Sequence, residues 1–236
     1  MTSVLAGTSG YSYKPWRGPF YPEDLPDARM LEYYAGELPA VEVNNTFYRM
    51  PTQKLIDRWI ETTPAAFRLV LKASRRLTHR KKLEPPPDAL TYMFDVTAAL
   101  GERLGGHLFQ LPPYAPQDVG ALLAFLESVP QGNRIAMEFR HASWFADDTY
   151  SVLADFDAAL VVADGGKVEV PRVATASWGY LRLRREDYSP ADLEEWSRWI
   201  SDQSWQSTFA FFKHEDAGVS PRLARDLIEA VDARSV

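Results

Sequence analysis

Short apolar or β-branched segments recur along this sequence, and most are followed by a turn and a stretch with helical periodicity. Most of these segments are nearly continuous apolar runs, which is typical of parallel strands covered by helices. Eight strand–helix units within 236 residues predict an α/β fold, a TIM-type (β/α)8 barrel of ~250 residues. The predicted strands are Val4–Gly7, Ala40–Asn44, Phe67–Lys72, Gly106–Leu111, Arg134–Phe139, Ala158–Asp164, Gly179–Arg184 and Thr208–His214. No low-complexity linker divides the chain, so we expect a single domain over residues 1–236.

The connections between these strands carry helix signals. Thr52 and Asp88 are candidate N-caps, and Ser189 and Ser220 each precede a proline at a first helical position. The first five predicted helices cover Asp27–Leu38, Thr52–Thr62, Asp88–Leu104, Pro116–Val129 and Asp147–Phe156. The sixth connection, Gly165–Ser177, has no helical period, so we expect a short helix or a loop there.

An open, doubly wound sheet is the alternative fold. Its nucleotide-binding form places G-x-G-x-x-G between the first strand and a helix. Here Gly7-Thr8-Ser9-Gly10 has the wrong spacing and leads into aromatic residues. The sequence therefore favours the closed barrel.

Composition restricts the partners and the compartment. The chain has 26 Lys and Arg against 32 Asp and Glu, a net charge of −6, which disfavours nucleic acid as a partner. It has no cysteine, so disulfides, thiol nucleophiles and Cys-ligated zinc are excluded. No apolar run reaches the ~18 residues of a membrane span, and the first residues lack a secretory signal pattern. We expect a cytoplasmic protein that is not bound to a membrane.

Polar side chains interrupt the apolar pattern at seven of the eight predicted strand ends. They are Glu42, Asn44, Lys72, Gln110, Glu138, Arg140, His141, Asp164, Arg182, Arg184, Lys213, His214 and Glu215. The C-terminal strand ends carry the active site of a TIM barrel, so this ring predicts a site for a polar ligand. The alternative is that Glu42 with Lys72, or Glu138 with Arg182, are inward ion pairs without a ligand role.

Two further features lie near the same rim. Residues Lys72–Lys82 include six Lys or Arg and His79 but no acid, which indicates a cationic rim that attracts an anion or, alternatively, a solvated basic loop. Tyr11 and Trp144 follow strands one and five, where rigid aromatic rings could stack a sugar or base. By contrast, six other aromatic residues are expected to be packing residues: Phe20, Phe47, Trp59, Trp196, Trp199 and Trp205. His107 is expected to be partly exposed at the start of a strand.

Several of these segments together resemble one family. Gly7–Tyr13 (containing Ser9 and Tyr11), Val41–Pro51, Gln110–Pro113 and Glu138–His141, in this order, resemble signatures of domain-of-unknown-function family 72, the YecE-like proteins. The resemblance covers roughly the first 185 residues and implies a TIM barrel. It implies no established reaction.

The last two strand ends depart from the family pattern. Relatives usually carry Arg-Leu-His-Gly at the seventh strand, where this chain has Arg182-Leu183-Arg184-Arg185. They usually carry Asn-Asn-Asp after the eighth, where this chain has Lys213-His214-Glu215-Asp216. The resemblance therefore assigns no role to these two ends.

The leading functional hypothesis is an enzyme, hydrolase- or isomerase-like, that acts on a small anionic or sugar-like substrate. Glu42 and Glu138 are the candidate acid–base groups, and Lys72 and Arg182 would offset developing negative charge. A barrel glycosidase is one version of this hypothesis. No cofactor is predicted. The candidate substrate-binding residues are Ser9, Tyr11, Asn44, His79, Gln110, Arg140, His141, Trp144, Asp164 and Arg182.

Two alternatives belong to other classes. A metal-assisted phosphodiesterase or isomerase could take ligands from Glu42, Glu138, His141 and His214, although no H-x-H, H-E-x-x-H or D-x-D spacing is present. A non-catalytic module could bind nucleic acid or another ligand through Lys72–Lys82.

Overall fold

Eight parallel strands form a closed barrel in chain order, and the first strand pairs with the eighth. The computed structural model describes residues 3–79, 83, 85–213 and 218–234. The strands are β1 Ser3–Ser9, β2 Ala40–Val43, β3 Arg68–Lys72, β4 Leu104–Gln110, β5 Ile135–Glu138, β6 Ala159–Asp164, β7 Gly179–Leu183 and β8 Ser207–Phe212. The predicted (β/α)8 barrel is confirmed.

Eight α-helices occur within the described residues. They are α1 Met30–Glu37, α2 Gln53–Thr62, α3 Arg75–Thr78, α4 Pro87–Ala98, α5 Val119–Glu127, α6 Asp147–Asp155, α7 Pro190–Ser201 and α8 Val219–Asp232. The chain between β6 and β7 is fully described and forms a loop without a helix, as the sequence predicted. None of the helices in the described ranges is long and apolar enough to cross a bilayer.

Helix starts were predicted with mixed success. Ser189 caps α7 as expected, and it forms a capping box with Asp192. Two predicted caps are wrong: α4 begins at Pro87, one residue before Asp88, and α8 begins before Ser220, behind Gly218 in a left-handed conformation (φ 66°). Helix α4 also ends at Ala98, because the chain then passes through a 3-10 turn into β4.

The lower part of the barrel interior is apolar. Inward-facing side chains from alternate strand positions pack there, as expected for a filled barrel. They include Val70, Leu108, Val161, Tyr180, Phe209 and Phe211, all almost fully buried. Polar groups replace them towards the C-terminal strand ends.

His107 corrects one sequence expectation. The side chain is fully buried rather than partly exposed, because it faces outward from β4 against α4. Its Nε2 lies 3.0 Å from Oγ1 of Thr97, and its ring meets the Phe94 ring nearly edge-on. Burial lowers the pKa of His107 to about 3, so the imidazole is neutral at physiological pH.

Candidate functional site

One guanidinium group joins two carboxylates at the centre of the barrel. Arg182 donates from Nη2 to Oε1 of Glu42 at 2.7 Å and from Nη1 to Oε2 of Glu138 at 2.5 Å. All three side chains are at most 3% exposed. The guanidinium therefore lies between the two carboxylates and fills the space that separates them.

Other groups satisfy the remaining carboxylate oxygens. The Tyr180 hydroxyl donates to Oε2 of Glu42 at 2.7 Å, and the Asn44 amide donates to its Oε1 at 3.1 Å. Oε2 of Glu138 also accepts from the Gln110 amide at 2.6 Å. Both oxygens of Glu42 and Oε2 of Glu138 thus have partners within the barrel.

Two more arginines converge on the second oxygen of Glu138. Arg140 Nε lies 3.2 Å and Arg184 Nη2 lies 3.0 Å from Oε1. The Arg140 side chain is 38% exposed and that of Arg184 is 17% exposed. These guanidinium groups therefore connect the buried carboxylate to the open mouth of the barrel.

Strand alternation and register bring these groups together. Successive side chains of a strand point to opposite faces, so Tyr180, Arg182 and Arg184 of β7 and its extension share the inward face. The β4–β5 register places Gln110 opposite Glu138, which explains their direct hydrogen bond. Alternation within each strand and the register between neighbouring strands thus direct these side chains inward.

Both carboxylates are held in the ionised form. Burial alone would raise the pKa of Glu42. The charge of Arg182, together with the hydrogen bonds that the Glu42 carboxylate accepts, outweighs burial and lowers this pKa. Burial likewise opposes ionisation of Glu138, yet Arg182, Arg184 and Arg140 hold its pKa far below the usual range. Neither side chain offers a protonated carboxyl group at neutral pH.

Lys72 differs from the three arginines. It is partly buried, and its Nζ lies 4.4 Å from the centre of the Phe47 ring. No carboxylate of the described residues lies within ion-pair distance of its ammonium group. Burial, and next the charge of Arg182, lower the pKa of Lys72 to about 8 against the opposing effect of Glu42 and Glu138. This side chain can therefore exchange a proton near physiological pH.

We call Glu42, Lys72, Glu138, Arg140, Arg182 and Arg184 the central ion cluster. It holds four positive and two negative groups, so its formal charge is +2, whereas the whole chain carries −6. The two negative groups are buried, and the exposed part of the cluster is cationic. The cluster can hold an anion at the mouth of the barrel.

Further predicted residues border this cluster. Ser9 is buried at the end of β1, where the register pairs it with Glu42. His79 packs edge-on against Phe47, which also contacts Lys72, and its Nδ1 lies 2.9 Å from Oγ1 of Thr78. The Phe47 ring thus contacts both the Lys72 ammonium group and the His79 ring.

Four predicted site residues lie away from the cluster. Asp164 points to the outer face of β6, 3.1 Å from Arg185, because Ala163 has the inward position. Trp144 is buried against Phe139, and its Nε1 donates to the Ala115 carbonyl. The remaining two are His141, whose Nδ1 lies 2.8 Å from the Ser143 hydroxyl, and Tyr11, whose ring centre lies 6.3 Å from that of Tyr34.

Tyr180 was not among the predicted site residues, and Arg184 was placed in the ring of strand-end residues but not among the substrate-binding candidates; both contact a cluster carboxylate. Their signal was present in the sequence, since they alternate with Arg182 along β7. Lys213 is exposed just beyond β8, while His214 and Glu215 lie outside the described residues.

Metal binding is not favoured by this arrangement. Glu42 and Glu138 are committed to Arg182, and His141 is separate from both. Within the described ranges, no group of three or more His, Asp or Glu side chains could hold a metal ion. His214, the fourth candidate ligand, lies outside those ranges.

Comparison with known proteins identifies the same family that the strand-end motifs resemble. The family model "Protein of unknown function DUF72" matches residues 5–236. The chain belongs to the DUF72 family. The UPF0759 protein YecE of Escherichia coli K12 is 33% identical over 229 residues, covering 84% of each protein. YunF of Bacillus subtilis, also a UPF0759 protein, is 24% identical over 254 residues, covering 90% of each.

Solved DUF72 structures share the fold. The DUF72 protein TM1631 of Thermotoga maritima aligns with a TM-score of 0.81 at 24% identity, covering 99% of this chain and 100% of that one. EF0366 of Enterococcus faecalis aligns with a TM-score of 0.80 at 17% identity, covering 98% of each. No activity is established by the DUF72 family or by these relatives, so the function has to be argued from the site.

Proposed function

We propose that this DUF72 protein is an enzyme that binds a small anion at the C-terminal mouth of its barrel and acts on it by acid–base chemistry. The observation that carries the proposal is the surplus of two positive charges in the central ion cluster of an acidic protein. Lys72, Arg140 and Arg184 are the cations of the cluster that are not fully buried. An anion bound among them would restore local neutrality.

The buried geometry favours different roles for the glutamates than the sequence suggested. A general acid needs a proton to donate at the working pH, but the pKa values of Glu42 and Glu138 are lowered by their arginine partners. A glycosidase places a sugar between its two carboxylates, whereas Arg182 occupies that space here. We assign both glutamates to positioning the arginines, and we favour an anion over a neutral sugar.

Lys72 is the better candidate for proton transfer. Its pKa of about 8 leaves a useful fraction of the neutral amine near physiological pH. Arg182 and Arg184 would stabilise negative charge that develops on the substrate. Lys72 would act as the base in its neutral form and return the proton as the ammonium ion.

Anion binding is testable without a known substrate. We expect inorganic phosphate to raise the melting temperature of the wild-type protein, relative to sodium chloride at equal ionic strength. Lys72→Met and Arg184→Met should lose most of this gain, whereas Arg222→Met, which removes an exposed charge on α8, should keep it. Equal stabilisation in all four proteins, or none in the wild type, would contradict the proposed site.

Catalysis requires a separate assay. The protein would be incubated in D2O with a panel of small carboxylates, keto acids and phosphate monoesters. Proton NMR then detects exchange next to a carbonyl, and phosphorus NMR detects ester hydrolysis. We expect turnover that rises with pH through about 8, the pKa of Lys72, and that is lost in Lys72→Met. Turnover that survives this substitution, or no conversion of any panel member, would overturn the catalytic part of the proposal.

A further inference from the structure

A cavity of about 380 Å³ lies beside the central ion cluster, above the ends of β5 and β6. Only two residue pairs connect these strands, Ala136 with Ala159 and Met137 with Leu160. Beyond these pairs the strands separate, and the cavity is lined by Glu138 to Arg140 on one side and by Ala163 on the other. Pockets of this size commonly bind small molecules.

The loop that replaces the sixth helix covers this cavity. Gly165 begins it with φ +80°, and a Cβ there would lie 2.6 Å from the backbone nitrogen of Arg185. The absent side chain lets the loop pass close to the β7 extension. Residues 165–168 and Val170 then line the cavity.

The cavity has a cationic end and an apolar wall. Arg140, Arg184 and Lys167 contribute positive charge, and the one acid in its lining, Glu138, is already bonded to three arginines. The Nε of Arg184 has no hydrogen-bond partner among the described residues. The apolar wall consists of Pro113, Phe139, Ala163, Val168 and Val170.

We propose that this cavity is a specificity pocket, and that the substrate is an amphipathic anion. Its phosphate or carboxylate group binds at Arg140 and Arg184, and its aliphatic or aromatic body occupies the apolar part beneath the loop. This inference rests on the proposed anion site, but it adds a second requirement. The side chains of Val168 and Val170 offer no hydrogen-bond partner to the hydroxyl groups of a sugar phosphate, so an apolar body fits this wall better.

A homologous series of probes tests the pocket. Each fully buried methylene strengthens binding about fourfold. Half-burial of the three methylenes that distinguish n-butyl phosphate from methyl phosphate therefore predicts about tenfold tighter binding, measurable by calorimetry. Acetate and pentanoate provide the same comparison for a carboxylate head group, and n-butanol is the neutral control.

A large side chain that fills the apolar part of the pocket should remove the preference for butyl over methyl phosphate. It should leave binding of the phosphate group at Arg140 and Arg184 intact. In Val168→Trp we expect butyl and methyl phosphate to bind equally, at the wild-type affinity for methyl phosphate. Glu169→Trp adds the same bulk at an exposed loop position outside the cavity lining, and should keep the tenfold preference. Melting curves of both variants would show that each is folded.

The outcomes separate the two proposals. Binding of methyl phosphate without chain-length preference, or a preference unaffected by Val168→Trp, would overturn the specificity pocket and leave the anion site standing. Failure of every phosphate and carboxylate to bind would overturn the anion site itself. A preference in only one of the two series would identify the head group.

Discussion

Nη1 of Arg182 lies 2.5 Å from Oε2 of Glu138 in the interior of the barrel, where both side chains are at most 3% exposed. Removing such charges from water is expensive unless each is paired and hydrogen-bonded. The two terminal nitrogens of Arg182 meet this condition, since the second one binds Oε1 of Glu42. We call Glu42, Glu138 and Arg182 the buried triad. Arg140 and Arg184, the more exposed arginines of the cluster, are held in place by their ion pairs with Glu138 of this triad.

Removing the shared guanidinium should destabilise the protein strongly. Arg182→Met leaves Glu42 and Glu138 buried without their common partner, and breaking a buried pair in this way costs about 3–5 kcal/mol. Chemical denaturation at pH 7 would measure the loss. Arg222→Met removes an arginine that is 67% exposed, and should change the free energy of unfolding by less than about 1 kcal/mol. A comparable small loss in Arg182→Met would contradict the role given to the triad.

The same substitution should change the pH dependence that the two glutamates contribute. In the wild type their folded pKa values are lowered, so their stabilisation is present above the unfolded value of ~4.3 and is lost at lower pH. In Arg182→Met, Glu42 loses its arginine partner, so burial raises the pKa of Glu42, whereas Glu138 keeps its ion pairs with Arg140 and Arg184. Relative to the wild type, the variant should then gain stability as the pH falls from 7 to 5, because Glu42 takes up a proton in the folded variant. Parallel unfolding curves for the two proteins over this range would count against the argument.

The barrel fold was predictable, as were the inward-facing polar side chains at the ends of β2, β3, β4, β5 and β7. Both follow from hydrophobic periodicity and from the residues at strand ends, which are local features of the sequence. Glu42 and Asn44 share a face through simple alternation, and their side chains are hydrogen-bonded to each other. The sequence offered Glu138 with Arg182 as an inward ion pair, and the structure contains it. The sequence did not reveal that Arg182 rather than Lys72 binds Glu42, since that pairing depends on which strands face each other across the closed barrel.

Asp164 shows where strand-end reasoning fails. In a parallel strand covered on both faces, apolar residues occupy inward and outward positions alike, so the sequence does not reveal which set points inward. The register with β7 places Val161 opposite Tyr180 and so turns Ala163 inward and Asp164 outward. The prediction counted Asp164 as a rim residue because it ends the strand, and the same uncertainty concealed the orientation of His107 in β4.

Lys72 should respond directly to a bound anion. Its pKa of about 8 should rise when phosphate binds, because a nearby negative charge favours the ammonium form. Lysines labelled by 13C reductive methylation can be titrated by NMR, and the Lys72 signal is the one that disappears in Lys72→Arg. The signal of the exposed Lys54 should not change on phosphate addition. An unaltered Lys72 titration in saturating phosphate would place the anion elsewhere.

The loop over the specificity pocket should depend on its first glycine. Gly165→Ala combines a left-handed φ with a Cβ about 2.6–2.8 Å from backbone atoms of Arg184 and Arg185. The strain costs on the order of 1–3 kcal/mol, and the loop can relieve it by moving away from β7. We expect weaker discrimination between butyl and methyl phosphate by calorimetry, with methyl phosphate affinity retained. Gly132→Ala, also at a left-handed position but with open space around it, is the control.

His107 should contribute a pH dependence that is separate from that of the triad. Its folded pKa of about 3 lies below the unfolded value of ~6.5, so the unfolded chain binds the extra proton first. The neutral, buried imidazole therefore stabilises the fold above pH 6.5, and this stabilisation declines as pH falls towards 3. Between pH 6.5 and pH 5 the loss amounts to about 2 kcal/mol, whereas the lowered pKa values of the triad confine its contribution to more acidic solution.

The variant His107→Gln isolates this contribution. Glutamine keeps a polar group near Thr97 but has no titrating proton, so the free energy of unfolding should vary less with pH in this window than it does in the wild type. Urea denaturation at pH 6.5, 5.75 and 5.0 would measure the difference. His141→Gln makes the same change at a half-buried histidine away from Thr97 and serves as the matched control. If His107→Gln retained the full slope, the buried imidazole would not be the source of that slope.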